Sequence, residues 1–65
     1  MIDMEALRAN YRVVAAAFLD DGWSETDIED MGAGIKRCID AGDVDRLQSW
    51  HDWLKTEAQR IRRKN

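Results

Sequence analysis

Apolar residues recur along this chain at the three-to-four-residue spacing of one helical face, in three runs separated by glycine-bearing polar breaks. The first run is Met4, Leu7, Tyr11, Val14, Ala15 and Phe18. Asp3 precedes it as a natural N-cap with Glu5 in the first turn, and Asp21-Gly22 follows as a stop. The second run is Ile28, Met31, Ile35, Cys38 and Ile39, ending at Ala41-Gly42. Ser24 and Asp27 have the spacing of a capping box at its start, with Trp23 and Ile28 placed as a hydrophobic staple. Thr26 with Glu29 offers a competing cap two residues later. Asp43 caps a third run, in which Val44, Leu47, Trp50, His51, Leu54, Ala58 and Ile61 share a face.

Little opposes helix, since there is no proline and β-branched residues are sparse. The pattern predicts an all-α fold: one domain over residues 1–65, built as a small antiparallel three-helix bundle with a short basic C-terminal tail. The segment Gly32-Ala33-Gly34 interrupts the second run with two residues that each disfavour helix by about 1 kcal/mol. Close approach of another helix at Gly32, a kink, or a break into two short helices would each account for them. The stretch from Ile28 to Ile39 also follows helix-turn-helix spacing, one residue short.

Length limits stability, because a chain of 65 residues buries only about 60% of its unfolded surface and tends to need a staple or a partner. One cysteine, Cys38, allows no internal disulfide, and one cysteine with one histidine cannot make a four-ligand zinc site from those types. The longest apolar run, Val13 to Leu19, is far short of the roughly 20 residues of a membrane span. A soluble cytoplasmic protein, with no membrane partner, is the expectation.

That apolar run surrounds its helix. Ala6, Ala9, Val13, Ala16 and Ala17 fall on the face away from the first stripe, and their small side chains would let a second helix approach. Ala9, Val13, Ala16 and Ala17 are therefore the expected self-association surface of a homodimer. Trp53 lies roughly 120° off the Leu47–Leu54 face and is the expected exposed aromatic anchor. Trp50 reads as packing and Trp23 as the staple.

Charge is divided along the chain. Residues 20–30 carry six acids and no base, while residues 60–64 carry four bases and no acid, within a net charge of −3. Glu25, Asp27, Glu29 and Asp30 are the expected acidic binding face for a basic protein partner. Arg60, Arg62, Arg63 and Lys64 are the expected contacts in the less favoured case of nucleic-acid binding.

No chemistry is legible. The acids do not follow the EF-hand order, Gly-Ala-Gly before Ile35 lacks phosphate-loop spacing, and Ser24 and Ser49 have no evident base. Cys38 reads as a small buried hydrophobe. His51 and Asp52 are sequence neighbours, which do not face each other on a helix. A non-enzymatic regulator or inhibitor without cofactor or metal is the expectation, with a purely structural oligomer as a further alternative. In size and charge the chain is similar to small acidic phage inhibitors such as anti-CRISPR proteins, a likeness of dimensions rather than of motif. It implies a target that handles nucleic acid.

Overall fold

The computed structural model describes residues 2–64. They form three helices, α1 (Met4–Asp20), α2 (Glu25–Ala41) and α3 (Val44–Lys64), with no strand among the described residues. Local chemistry sets each boundary. The Asp3 carboxylate accepts hydrogen bonds from the Glu5 and Ala6 amides, both at 3.1 Å, and so satisfies two of the free donors at the start of α1. At its end Gly22 takes φ +102°, and the Gly22 and Trp23 amides donate back to the Leu19 and Phe18 carbonyls. This is the paired closure of a Schellman motif, and it carries the usual apolar contact across the turn: Phe18 and Trp23 stack with ring centroids 5.0 Å apart.

Ser24, rather than Thr26, caps α2. The Asp27 amide donates to Ser24 Oγ at 3.1 Å and the Ser24 amide donates to Asp27 Oδ2 at 3.2 Å, completing the capping box. Gly42, at φ +67°, ends the helix with a second Schellman pair, the Gly42 and Asp43 amides donating to the Ile39 and Cys38 carbonyls. Asp43 at once starts α3 by accepting the Arg46 amide at 3.2 Å. The connections are therefore too short to admit much beyond the caps themselves.

The molecule is a slab of 33 × 25 × 15 Å in which α1 packs chiefly against α3, while α2 closes on both. α1 and α2 run antiparallel, Tyr11 meeting Ile28 and Gly32 while Met4 and Leu7 share a groove with Ile35 and Ile39. Leu7, Val14, Ile35, Cys38, Leu47, Leu54 and Ala58 form the core, with Val14, Leu54 and Ala58 fully enclosed. A fully buried Val or Leu side chain contributes about 1.5–3 kcal/mol. Two large hydrophobic residues expected on the core stripes are exposed instead. Val44 sits on the first turn of α3, ahead of the packed region, and Ile39 lies at the exposed margin of the α1–α2 groove.

α2 passes through Gly32 and Gly34 without interruption, so neither the break nor the helix-turn-helix reading survives. Close approach explains Gly32. A Cβ there would lie 2.8 Å from the Tyr11 hydroxyl oxygen, which donates to the Ile28 carbonyl at 3.1 Å. Gly34 has ordinary space, with the Trp50 ring 3.4 Å from where a Cβ would sit.

The far face expected on α1 is narrower than the helical wheel implies. Val13 packs against the core, Ala6 and Ala17 line clefts against α3, and only Ala9 and Ala16 are exposed. The physical reason is that α3 lies broadly across α1, covering more than the central stripe.

The two glycines should therefore respond oppositely to alanine. Gly34→Ala is expected to stabilise by up to about 1 kcal/mol, the helix-propensity gain. Gly32→Ala should fail to show that gain, because it displaces Tyr11 and weakens a hydrogen bond with a net value of about 1 kcal/mol. With Tyr11→Phe as background the gain should reappear. Denaturant unfolding of the four-variant cycle measures the coupling, and additive effects at Gly32 and Tyr11 would contradict the close-approach explanation.

Candidate binding groove

Where the end of α1, the start of α2 and the middle of α3 meet, four aromatic side chains gather. Phe18 and Trp23 arrive from the α1–α2 turn, Trp50 and Trp53 from successive turns of α3. Trp53 meets Phe18 edge-on with centroids 6.1 Å apart, and Trp50 edge-on at 5.9 Å. Edge-to-face geometry at these distances is the favoured arrangement of neighbouring rings. With Ile28 and Met31 they line an open groove of 590 Å³. Trp23 is 51% exposed and Trp53 39% exposed, so both indoles are partly open to solvent. Trp23 thus serves the turn and the groove together, since its stacking partner is Phe18 of the preceding helix.

Three polar side chains border the groove, and each already has a local partner. Asp27 belongs to the capping box, Ser49 donates its hydroxyl to the Asp45 carbonyl at 3.2 Å, and Arg46 lies 3.5 Å from Asp43. The groove therefore offers chiefly apolar and aromatic surface, with Arg46 exposed at its edge.

The acidic run does not form one surface. Asp20 and Asp21 line a cleft with Arg60 and Lys64, so the acidic end of α1 and the basic end of α3 face each other within one molecule. Glu25, Asp27, Glu29 and Asp30 are exposed on the first turns of α2, and only Asp27 lines the groove directly. The basic stretch is helical through Lys64. Arg60 is bound to Glu57, its Nε and Nη2 lying 2.8 and 2.6 Å from Oε2. Arg62 lines a separate cleft between α1 and α3, and Arg63 is exposed.

That separate cleft holds polar groups that sequence reasoning missed. Asn10 is buried between Leu7 and Val14, the spacing of the core stripe, and faces His51, Lys55 and Gln59. His51 Nδ1 comes within 3.5 Å of Asp52 Oδ1, a nearer approach than their adjacency on the helix implied. His51 Nε2 is enclosed and has no hydrogen-bond partner among the described residues, which is a cost to folding. Among the described residues no group of three or more His, Cys, Asp or Glu side chains gathers to hold a metal ion, and no helix is long and apolar enough to cross a membrane.

No family model, curated protein or solved structure matches the chain, so the groove must be read from its own geometry.

The His51 site gives a direct check of that geometry. Removing a buried polar group that has no partner should relieve its desolvation cost, so His51→Leu is expected to be neutral or to stabilise by about 1 kcal/mol in urea unfolding. A loss of more than about 1 kcal/mol would mean that Nε2 has a partner in solution.

Proposed function

We propose that this is a non-enzymatic binding protein, a small regulator or inhibitor that acts by occupying a surface of another protein. The observation that carries the reading is the aromatic groove, which leaves Trp23 and Trp53 open to solvent beside Ile28 and Met31. Exposing a tryptophan costs favourable burial that a small core can ill spare. Contiguous aromatic surface rimmed by polar residues is the usual mark of an interaction site. Trp53 has the character of a binding anchor: a large ring braced edge-on by Phe18 and Trp50, so that little freedom is lost on docking.

Two features weigh for protein rather than nucleic acid as the partner. The groove adjoins the acids of α2, which repel phosphate. The basic end of α3 is partly engaged within the chain, Arg60 by Glu57 and Arg60 with Lys64 facing Asp20 and Asp21. The reading of no catalysis rests on the same lining, whose polar side chains are committed to caps and local pairs.

A photo-crosslinking amino acid placed at position 53 or 28, in the cell from which the chain comes, should give a covalent adduct to one and the same polypeptide. Placed at Ala33, on the other side of α2, it should not. Trp53→Ala should weaken that partner at least about 30-fold, the equivalent of about 2 kcal/mol for a binding hot spot, with the helical circular dichroism unchanged. Adducts from position 33 alone, or affinity unaffected by Trp53→Ala, would refute the groove as the docking site.

A further inference from the structure

We infer that the occupant of the groove is a basic segment of another protein that carries an apolar anchor flanked by Lys or Arg. The inference rests on the groove being a docking site, as above, and adds the chemistry of what docks.

The anchor follows from the lining. Asp27 and Ser49 are hydrogen-bonded to Ser24 and the Asp45 carbonyl, and Arg46 is an exposed side chain beside Asp43 at the edge, so the floor offers chiefly the apolar surface of Phe18, Ile28, Met31, Trp50 and Trp53. A polar group placed on it would lose its water without compensation. An aliphatic or aromatic side chain seated among Phe18, Ile28, Met31, Trp50 and Trp53 meets no such cost.

The flanking bases follow from the charge around the groove. Asp27 is at its edge, and Glu25 and Asp30 lie roughly 100° to either side of the groove-facing line of α2 by helical geometry. None of these three, nor Glu29, has an ion-pair partner among the described residues. The first base of α2 is Lys36, beyond the groove. A helix start accommodates negative charge, but its macrodipole is equivalent to only about half an elementary charge. Four acids in the first two turns leave a field that a cationic partner would neutralise. The one cation at the groove, Arg46, sits beside Asp43. Asp20 and Asp21, by contrast, face Arg60 and Lys64, so the local excess of negative charge is concentrated at α2.

The rings reinforce the same choice. Trp23 and Trp53 are partly open to solvent, and a Lys or Arg that reached the electron-rich face of either ring would gain a cation–π attraction. A partner with an apolar residue between bases would thus use the floor, the ring faces and the acids at once.

The test is selection of binders from a random peptide library displayed against the full chain. Each binder is re-measured by tryptophan fluorescence against Met31→Glu, which fills the floor with charge, and against Trp53→Ser, which removes the anchor site. The expected binders lose at least tenfold in affinity on both variants and carry an apolar residue flanked by Lys or Arg. Their binding should also weaken at least tenfold between low and high salt, and severalfold on Glu25→Gln/Asp30→Asn, which leaves the capping box intact.

Groove-dependent binders that are neutral or acidic and indifferent to salt would overturn the basic partner while leaving the groove as a docking site. Basic binders indifferent to Met31→Glu and Trp53→Ser would show attraction to the acids alone, and would overturn the anchor. A failure to find any groove-dependent binder would refute both this inference and the docking site beneath it. The remaining occupant, a second copy of the chain, would show as association in a light-scattering concentration series that Trp53→Ser abolishes, and would also overturn the inference.

Discussion

The enclosure of Val14 from α1 with Leu54 and Ala58 from α3 in one core is the constraint on which the rest of the molecule is arranged. Among the described residues these three side chains are fully enclosed, and they belong to α1 and α3, the principal packing pair. Alanine at position 58 removes bulk from α3 where α1 must lie close. The remaining core residues, Leu7, Ile35, Cys38 and Leu47, extend this contact toward α2, the helix that packs more lightly on both. With so short a chain the enclosed volume is used up by aliphatic and small side chains. The aromatic rings collect at the margin of the core, Tyr11, Phe18 and Trp50 part-buried and Trp23 and Trp53 exposed. The groove is in this sense a product of the core's size, but its aromatic lining is a matter of sequence.

The turn at Gly22 converts that margin into a shaped surface. The left-handed glycine lets the chain reverse, the Trp23 amide returns to the Phe18 carbonyl, and the Trp23 ring then lies flat on the Phe18 ring. One residue later Ser24 caps α2. Trp23 is therefore held by the end of one helix and the start of the next, and it cannot bury itself further without undoing both. Its exposure is a consequence of the turn geometry, whereas that of Trp53 comes from its position off the core face of α3.

Where structure depends on near neighbours, the sequence was legible. Asp3, Ser24 with Asp27, and Asp43 act as caps because their partners lie two or three residues away; Gly22 and Gly42 stop helices for equally local reasons. The core stripes of α1 and α3 were readable from period, apart from Val44, which is exposed ahead of the packed region. What was not readable depends on which helix lies where. The role of Gly32 needs Tyr11, whose hydroxyl arrives from another helix to reach the Ile28 carbonyl 17 residues on. Val13 and Ala17 were placed on a far face because a helical wheel has no knowledge of how broadly α3 covers α1. Asn10 was passed over because it is polar, although its spacing from Leu7 and Val14 marks a buried position. Of the groove, Trp53 was legible from its angle off the core face; its assembly with Phe18, Trp23 and Trp50 was not, since it joins distant parts of the chain.

The acids required the same correction. A run from Asp20 to Asp30 looks like one surface when charge is counted along the chain, yet the turn at Gly22 divides it between two sides of the fold. Asp20 and Asp21 face the basic end of α3. Of the acids of α2 only Asp27 lines the aromatic groove, Glu25, Glu29 and Asp30 being spread around the first turns of the helix, and none of the four has an ion-pair partner among the described residues. Capping needs only Ser24 and Asp27, so Glu25, Glu29 and Asp30 exceed what the helix start requires. Surplus charge beside exposed indoles is a poor arrangement for stability alone, because like charges repel and rings lose their burial. The basic partner proposed above would answer both costs together, its cations meeting the acids and its apolar residue the groove.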